Sequence, residues 1–173
     1  ADTLKEGHFI NDPEKVETVT KQMPDRLREL DDWGMAYSRT DEGDIDQRYF
    51  GAQSFRRTAF AGDHTGESML EALIERAQDL SLPYRENVFV SKLLADGDRL
   101  LGAAGYDMDT GEFVLFDADV VVLAAGGYTS LFRRHSSRDD ENTGDGPALA
   151  YLAGASLQDM EFVQFHPTGM VGN

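Results

Sequence analysis

"VVVLAAGG", residues 120–127, is the stretch whose reading decides the fold. Its β-branched and apolar residues run on without a polar interruption. That pattern describes a strand buried on both faces, as at the centre of a parallel sheet, and it requires covering layers on both sides. The run ends in Ala124, Ala125, Gly126 and Gly127, at the C-terminal end of the expected strand. Ligands of open α/β sheets bind at that end, and residues without bulky side chains let the backbone approach a bound group closely. A strand-end turn that needs small residues for packing would read the same way, because short glycine motifs are not specific.

Upstream of this stretch the period is extended and the punctuation is that of hairpins. "NVFVSKLLA" (87–95), "RLLGAAGYD" (99–107) and "EFVLFDA" (112–118) are separated by "DGD" and "DTG", turn chemistry that predicts a small antiparallel meander. Before it the period is helical. "NDPEKVETVTKQM" (11–23) has Asn11 and Glu14 at capping-box spacing, Pro13 in the first turn and an apolar stripe at Val16, Val19 and Met23. Pro24 then restarts the pattern in "PDRLRELDDWG" (24–34), so two helices are expected, the second closed by Gly34. Residues 35–62 lack periodicity and read as an ordered loop with short strands, a length that in a compact domain is usually either functional or poorly ordered. Thr65 is expected to cap the helix of "GESMLEALIERAQ" (66–78), with Leu70, Leu73, Ile74 and Ala77 on its buried face.

Downstream, "TGDGPALAYLAGA" (143–155) opens a helix between Gly144 and Pro147, with Leu149, Leu152 and Ala153 as its apolar positions, and "SLQDMEFVQF" (156–165) follows as extended chain. The unpaired N–H groups at a helix start suit an anionic or polar ligand, and Asp145 there has two possible jobs. It accepts hydrogen bonds from a sugar hydroxyl, or it caps its own helix, which is the commoner role. His166 lies in "QFHPTG" (164–169); an imidazole charges or donates a hydrogen bond near neutral pH and so suits a carboxylate oxygen, although a lone histidine in an apolar run is more often a core residue. Phe50 in "RYFGAQS" (48–54) offers a face to a flat ligand or pins its own loop. The arginines of "FRRTA" and "FRRHS" read either as acid-binding groups or, the favoured reading, as balance for the acidic surface. His8, His64 and His135 have no ligand-like spacing with His166, so no zinc site is expected.

The composition bounds the chemistry. The 173 residues suffice for one domain with a core. Thirty-two acids against 16 bases give a formal charge of −16, which disfavours nucleic acid and anionic lipid as partners. The acids are scattered through "DEGDID" (41–46), the turn at Asp96 and Asp98, and "RDDEN" (138–142), a pattern shared by salt-adapted surfaces and ordinary acidic proteins. Without cysteine there is no disulfide or thiolate site, so redox chemistry would need a cofactor. No run approaches a membrane span and the N-terminal residues do not form a signal peptide, so a soluble, intracellular piece is expected.

Taken in order, "QRYFGAQS", "DHTGESMLEAL", "VVVLAAGG" and "NTGDGPALAYLAGASLQDMEFVQFHPTG" resemble the middle of the flavoprotein subunit of succinate dehydrogenase and fumarate reductase, over nearly the whole chain. The resemblance implies an α/β fold: part of a Rossmann-like FAD-binding domain with a helical segment, a small antiparallel meander and a buried parallel strand. Residues 1–173 would be its central part, ending where a capping domain begins, with the glycine-rich dinucleotide fingerprint and that capping domain outside the chain. It implies FAD as cofactor of the full-length parent, contacted by Ala124, Ala125, Gly126, Gly127 and Asp145, and a succinate or fumarate carboxylate held by His166 and flanked by Phe50. The family's Phe-Gly-Gly-Gln run reads Phe-Gly-Ala-Gln here, a change that leaves the turn intact if Ala52 has φ below zero. The implied reaction interconverts succinate and fumarate by hydride transfer at flavin N5. Its implied partners are an iron–sulfur subunit with, behind it, a membrane anchor, which would place the complex on the cytoplasmic face of a membrane. No catalytic residue falls within the chain, so the isolated segment is expected to be inactive and to hold FAD weakly or not at all. Two rivals remain at this point: an L-aspartate oxidase-like flavoenzyme, and a non-catalytic acidic α/β domain with a structural His166.

Overall fold

The computed structural model describes residues 1–51, 53–135, 138 and 140–164. The chain separates into two compact units, Ala1–Tyr84 and Arg85–Asn173.

The first unit contains helices α1 (Asp2–Glu6), α2 (Pro13–Asp32) and α3 (Thr65–Asp79), and the two-residue strands β1 (Gln47–Arg48) and β2 (Thr58–Ala59), which pair antiparallel. The N-cap of α2 is Asp12, one residue later than the capping box suggested: Pro13 takes the first helical position, and the Asp12 carboxylate accepts the N–H groups of Glu14 and Lys15 at 3.0 and 3.3 Å. Nor does Pro24 split the helix; α2 runs through it to Asp32. Pro24 removes the donor that the Thr20 carbonyl would use, but Thr20 is on an exposed face, and packing of Leu27 and Leu30 on the core holds the helix on course beyond it. The end of α2 is a Schellman motif. Gly34, at φ +97, donates to Asp31 O and Met35 donates to Leu30 O, both at 2.9 Å. This turn delivers Met35, only 2% exposed, into a cluster with Tyr37 and Ala72 that is flanked by Leu27, Leu30, Ile45, Ala59 and Met69.

Helix α3 departs from its expected face. Thr65 is its first residue rather than its cap, and its hydroxyl accepts the Ala61 N–H at 3.0 Å. The buried positions are Ser68 and Ala72, whereas Leu70, Leu73 and Ile74 are exposed. The face that periodicity marked as apolar is therefore not the one that meets the core of this unit. Val19 and Met23 of α2 are likewise exposed.

The second unit is built on the meander, formed as the turn residues predicted: β3 (Val88–Asp96), β4 (Arg99–Asp107) and β5 (Phe113–Asp117), antiparallel in that order. Gly97, at φ +59, takes the first central position of the β3–β4 turn, which suits glycine in a hairpin of this length. Ala103, Ala104, Val114 and, from helix α4 (Asp145–Leu152), Leu149 form its buried set. One expectation is corrected. Residues 118–128 form no strand, and Val120 and Val122 are 76% and 84% exposed. A central parallel strand exists only between hydrogen-bonding neighbours, and no described residue supplies a backbone ladder to this stretch. The architecture remains mixed α/β. Among the described residues no helix is long and apolar enough to cross a membrane.

Candidate cofactor site

The two glycine-bearing motifs of the second unit meet, and the residue that joins them is Asn142. Its side-chain Oδ1 accepts the Gly127 N–H at 2.7 Å, and its backbone O accepts the Ser130 N–H at 3.2 Å. Two residues on, the Gly144 N–H donates to Gly127 O at 3.0 Å. The 142–144 segment thus bonds both the N–H and the carbonyl of Gly127. Asn142 sits at φ +54, in the left-handed region that asparagine tolerates better than most residues. Gly126 is at φ +70, and a Cβ there would lie 3.0 Å from Asn142 Oδ1, so conformation favours glycine and the contact is tight for anything larger. Gly144, at φ +89, is the buried N-cap of α4, where a Cβ would stand 3.1 Å from Leu131 Cδ1.

The clasp sets Asp145, first residue of α4, beside the 120–125 run. Val88, Val90, Phe116, Ala124, Ala125 and Asp145 are among the residues lining one cleft of about 560 Å³. Among the described residues Asp145 is its only polar lining side chain. No side chain caps α4, so Asp145 does not serve as its cap; its exposed carboxylate accepts the Thr143 hydroxyl. Close approach continues at Gly146, where a Cβ would lie 3.3 Å from Ala125 Cβ. An apolar wall, a helix N-terminus and one acceptor carboxylate suit a ligand that joins flat ring faces to hydroxyl and anionic groups, as a flavin dinucleotide does.

The chain that leads towards "QFHPTG" is fastened to the same turn. The Tyr128 hydroxyl donates to Met160 O at 2.8 Å, and Phe162 N–H closes a turn on Asp159 O. His166 itself, and the Ala52 whose φ the altered Phe-Gly-Ala-Gln run depends on, lie outside the described residues. Phe50 belongs to the first unit, 67% exposed beside Gly51 at φ +59. Its loop is anchored by Asp2, whose carboxylate accepts the N–H and hydroxyl of Ser54 at 2.9 and 2.8 Å and pairs with Arg57 at 3.2 Å. These bonds from Ser54, with Arg57 adding to them, hold the Asp2 carboxyl below the usual carboxylate range. The structure therefore brings Ala124–Gly127 and Asp145 together. Asn142 and Asp2 are the residues that reading the sequence did not single out; an Asn directly before a Thr-Gly-Asp-Gly helix start is the only local signal for the former.

Comparison with known proteins agrees with this geometry. The family model described as "FAD binding domain" matches residues 1–173. The fumarate reductase flavoprotein subunit of Mycobacterium tuberculosis is 38% identical over 98% of the chain, which covers 29% of that protein. Among solved structures, Mycobacterium smegmatis Sdh1 in complex with UQ1 is 39% identical with a TM-score of 0.89, over 99% of this chain and 30% of that one. A variant of E. coli quinol fumarate reductase FrdA is 34% identical with a TM-score of 0.94, over 99% of this chain and 29% of that one. The chain thus spans about a third of the length of the curated relatives it matches. It belongs to the FAD-binding-domain family, in the form carried by the flavoprotein subunits of fumarate reductase and succinate dehydrogenase.

Proposed function

We propose that this chain is the central part of the FAD-binding domain of an oxidoreductase that interconverts succinate and fumarate. The observation that carries the reading is the clasp of Gly127 by Asn142 and Gly144, which ties the turn after Ala124 and Ala125 to the helix start at Asp145, so that these three residues line one cleft, in a chain whose relatives are named for that reaction. FAD, when bound, supplies the hydride chemistry. The chain's own residues bind and orient. The Gly126–Gly127 backbone allows close approach, Asp145 accepts a hydroxyl hydrogen bond, His166 holds one substrate carboxylate, and Phe50 flanks the dicarboxylate and excludes water from it. The proton-transferring groups, the second carboxylate clamp, the iron–sulfur subunit that takes the electrons and the membrane anchor behind it belong to other parts of the assembly. By itself the chain is then inactive, because a dicarboxylate held at one end does not reach a fixed reacting geometry.

The test is made on the native protein that carries this chain. Purified, it should show flavin absorbance that succinate bleaches and fumarate restores, with malonate competing. A colourless protein, or a flavoprotein indifferent to all three diacids, would refute the reading.

A further inference from the structure

We infer that Asn142 is the positioning residue of the cofactor site: it acts on FAD without touching it, by fixing the peptide of Gly127. This rests on the FAD reading above and names the residue on which that site's shape depends.

Gly126 and Gly127 form the turn that follows the cleft-lining Ala124 and Ala125, and such a turn has many conformations when nothing holds it. Four observations show what holds this one. The Asn142 amide oxygen takes the Gly127 N–H at 2.7 Å, so that donor is satisfied within the chain. The Gly127 carbonyl is taken by Gly144 at 3.0 Å. The same amide oxygen lies 3.0 and 3.3 Å from where Cβ atoms would stand on Gly126 and Gly127, so it also fills the space beside the turn. Finally, Asn142 is held from behind, its backbone O accepting the Ser130 N–H and its φ lying at +54. The geometry couples the turn to Asp145, three residues further on. A shift of Asn142 moves both motifs at once, which makes it the common support of two ligand contacts rather than a third contact.

The discriminating variant is Asn142→Gly, which keeps the left-handed backbone accessible and deletes the acceptor. In the native holoprotein it should weaken FAD retention about tenfold, the worth of one net hydrogen bond. The denaturation midpoint of the stripped apoprotein should change little. Asn142→Asp supplies an acceptor of the same shape and should restore retention to within about threefold of wild type, given the factors of two to three by which single hydrogen bonds vary. Equal losses of apoprotein stability and FAD retention in Asn142→Gly would reduce Asn142 to a folding residue and overturn the inference, as would unchanged retention. Amide exchange in the wild-type protein gives a readout independent of any variant: the Gly127 N–H should be protected before FAD is loaded, and free exchange there would also overturn it. A wild-type protein that carries no flavin at all sinks the FAD reading instead, and the two failures are distinct.

Discussion

Residues 88–117 and residues 120–127 are both rich in branched and apolar side chains, yet the first stretch is a sheet and the second is bare chain. The meander makes its own partners. Each strand meets the next across a short turn, and the ladder runs from Val88↔Asp107 to Asp96↔Arg99 and on to Tyr106↔Phe113. A parallel strand has no such local supply, because its neighbours arrive only through crossover connections of a dozen or more residues. Val120 and Val122 expose most of their surface, while Val114, of the same type and six positions before Val120, is 6% exposed. What separates the two stretches is therefore the source of their hydrogen-bonding neighbours and not their composition.

The largest effect is expected where the meander leaves no room. A Cβ on Gly102, which sits at φ +138, would lie 1.9 Å from Phe116 O, and one on Gly105 would lie 2.1 Å from Phe89 O; both obstacles are backbone. Gly105→Ala should destabilise the fold by about 3 kcal/mol, the upper end of overpacking, and Gly102→Ala by at least as much. Denaturant midpoints measure this, and a loss under about 1 kcal/mol in either variant would show that the sheet yields and is not set by close backbone approach.

The companion experiment falls on the bare stretch. Val122→Asn should change the stability of the chain alone by no more than about 0.5 kcal/mol, as at any exposed position. If other parts of the native protein supply hydrogen-bonding neighbours to this stretch, the same change there should cost about 1–3 kcal/mol for a buried amide without a partner. Equal small effects in both settings would leave 120–125 outside any sheet. Between the two falls Gly126→Ala, whose φ of +70 and 3.0 Å approach to Asn142 should cost about 1–2 kcal/mol and lower FAD retention with it, read as flavin content after gel filtration.

The same contrast explains what the sequence discloses. The meander, α3 and the end of α2 are local: the DGD and DTG turns and Gly34 announce contacts within a few residues of themselves. Asp12 stands one position from the expected cap because Asn11 and Asp12 are chemically equivalent caps, and only the place of Pro13 in the first turn separates them. The glycines and Asp145 of the candidate site were legible as types. Their mutual geometry was not, since the Asn142–Gly127 bond spans 15 positions and no periodicity marks it. The apolar faces of α3 and of 120–125 were visible as patterns but not as burial, because burial depends on surfaces that a pattern does not name. Asp2 escaped notice for the same reason, as its partners Ser54 and Arg57 lie more than 50 residues away.

The smallest effect expected is a pH dependence confined to the meander's second turn. Asp107 ends β4, and its carboxylate accepts the N–H groups of Thr110 and Asp109, both at 3.0 Å, with Arg85 at 3.7 Å. The bond from Thr110 leads in holding this carboxyl below its ordinary value of 3.8. Because the folded state prefers the charged form, the turn's contribution is complete above that ordinary value and is lost as pH falls through the lower, folded one. Asp107→Asn keeps an oxygen for the two N–H groups but cannot titrate, so its denaturation midpoint should decline less steeply than wild type below about pH 4 and run parallel to it at neutral pH. The bare stretch 120–127 contains no titratable group, so the difference between the two proteins should appear as altered amide exchange at Asp109 and Thr110 and be absent at 120–125. Identical acid limbs for the two proteins would show that the turn is held by its backbone alone.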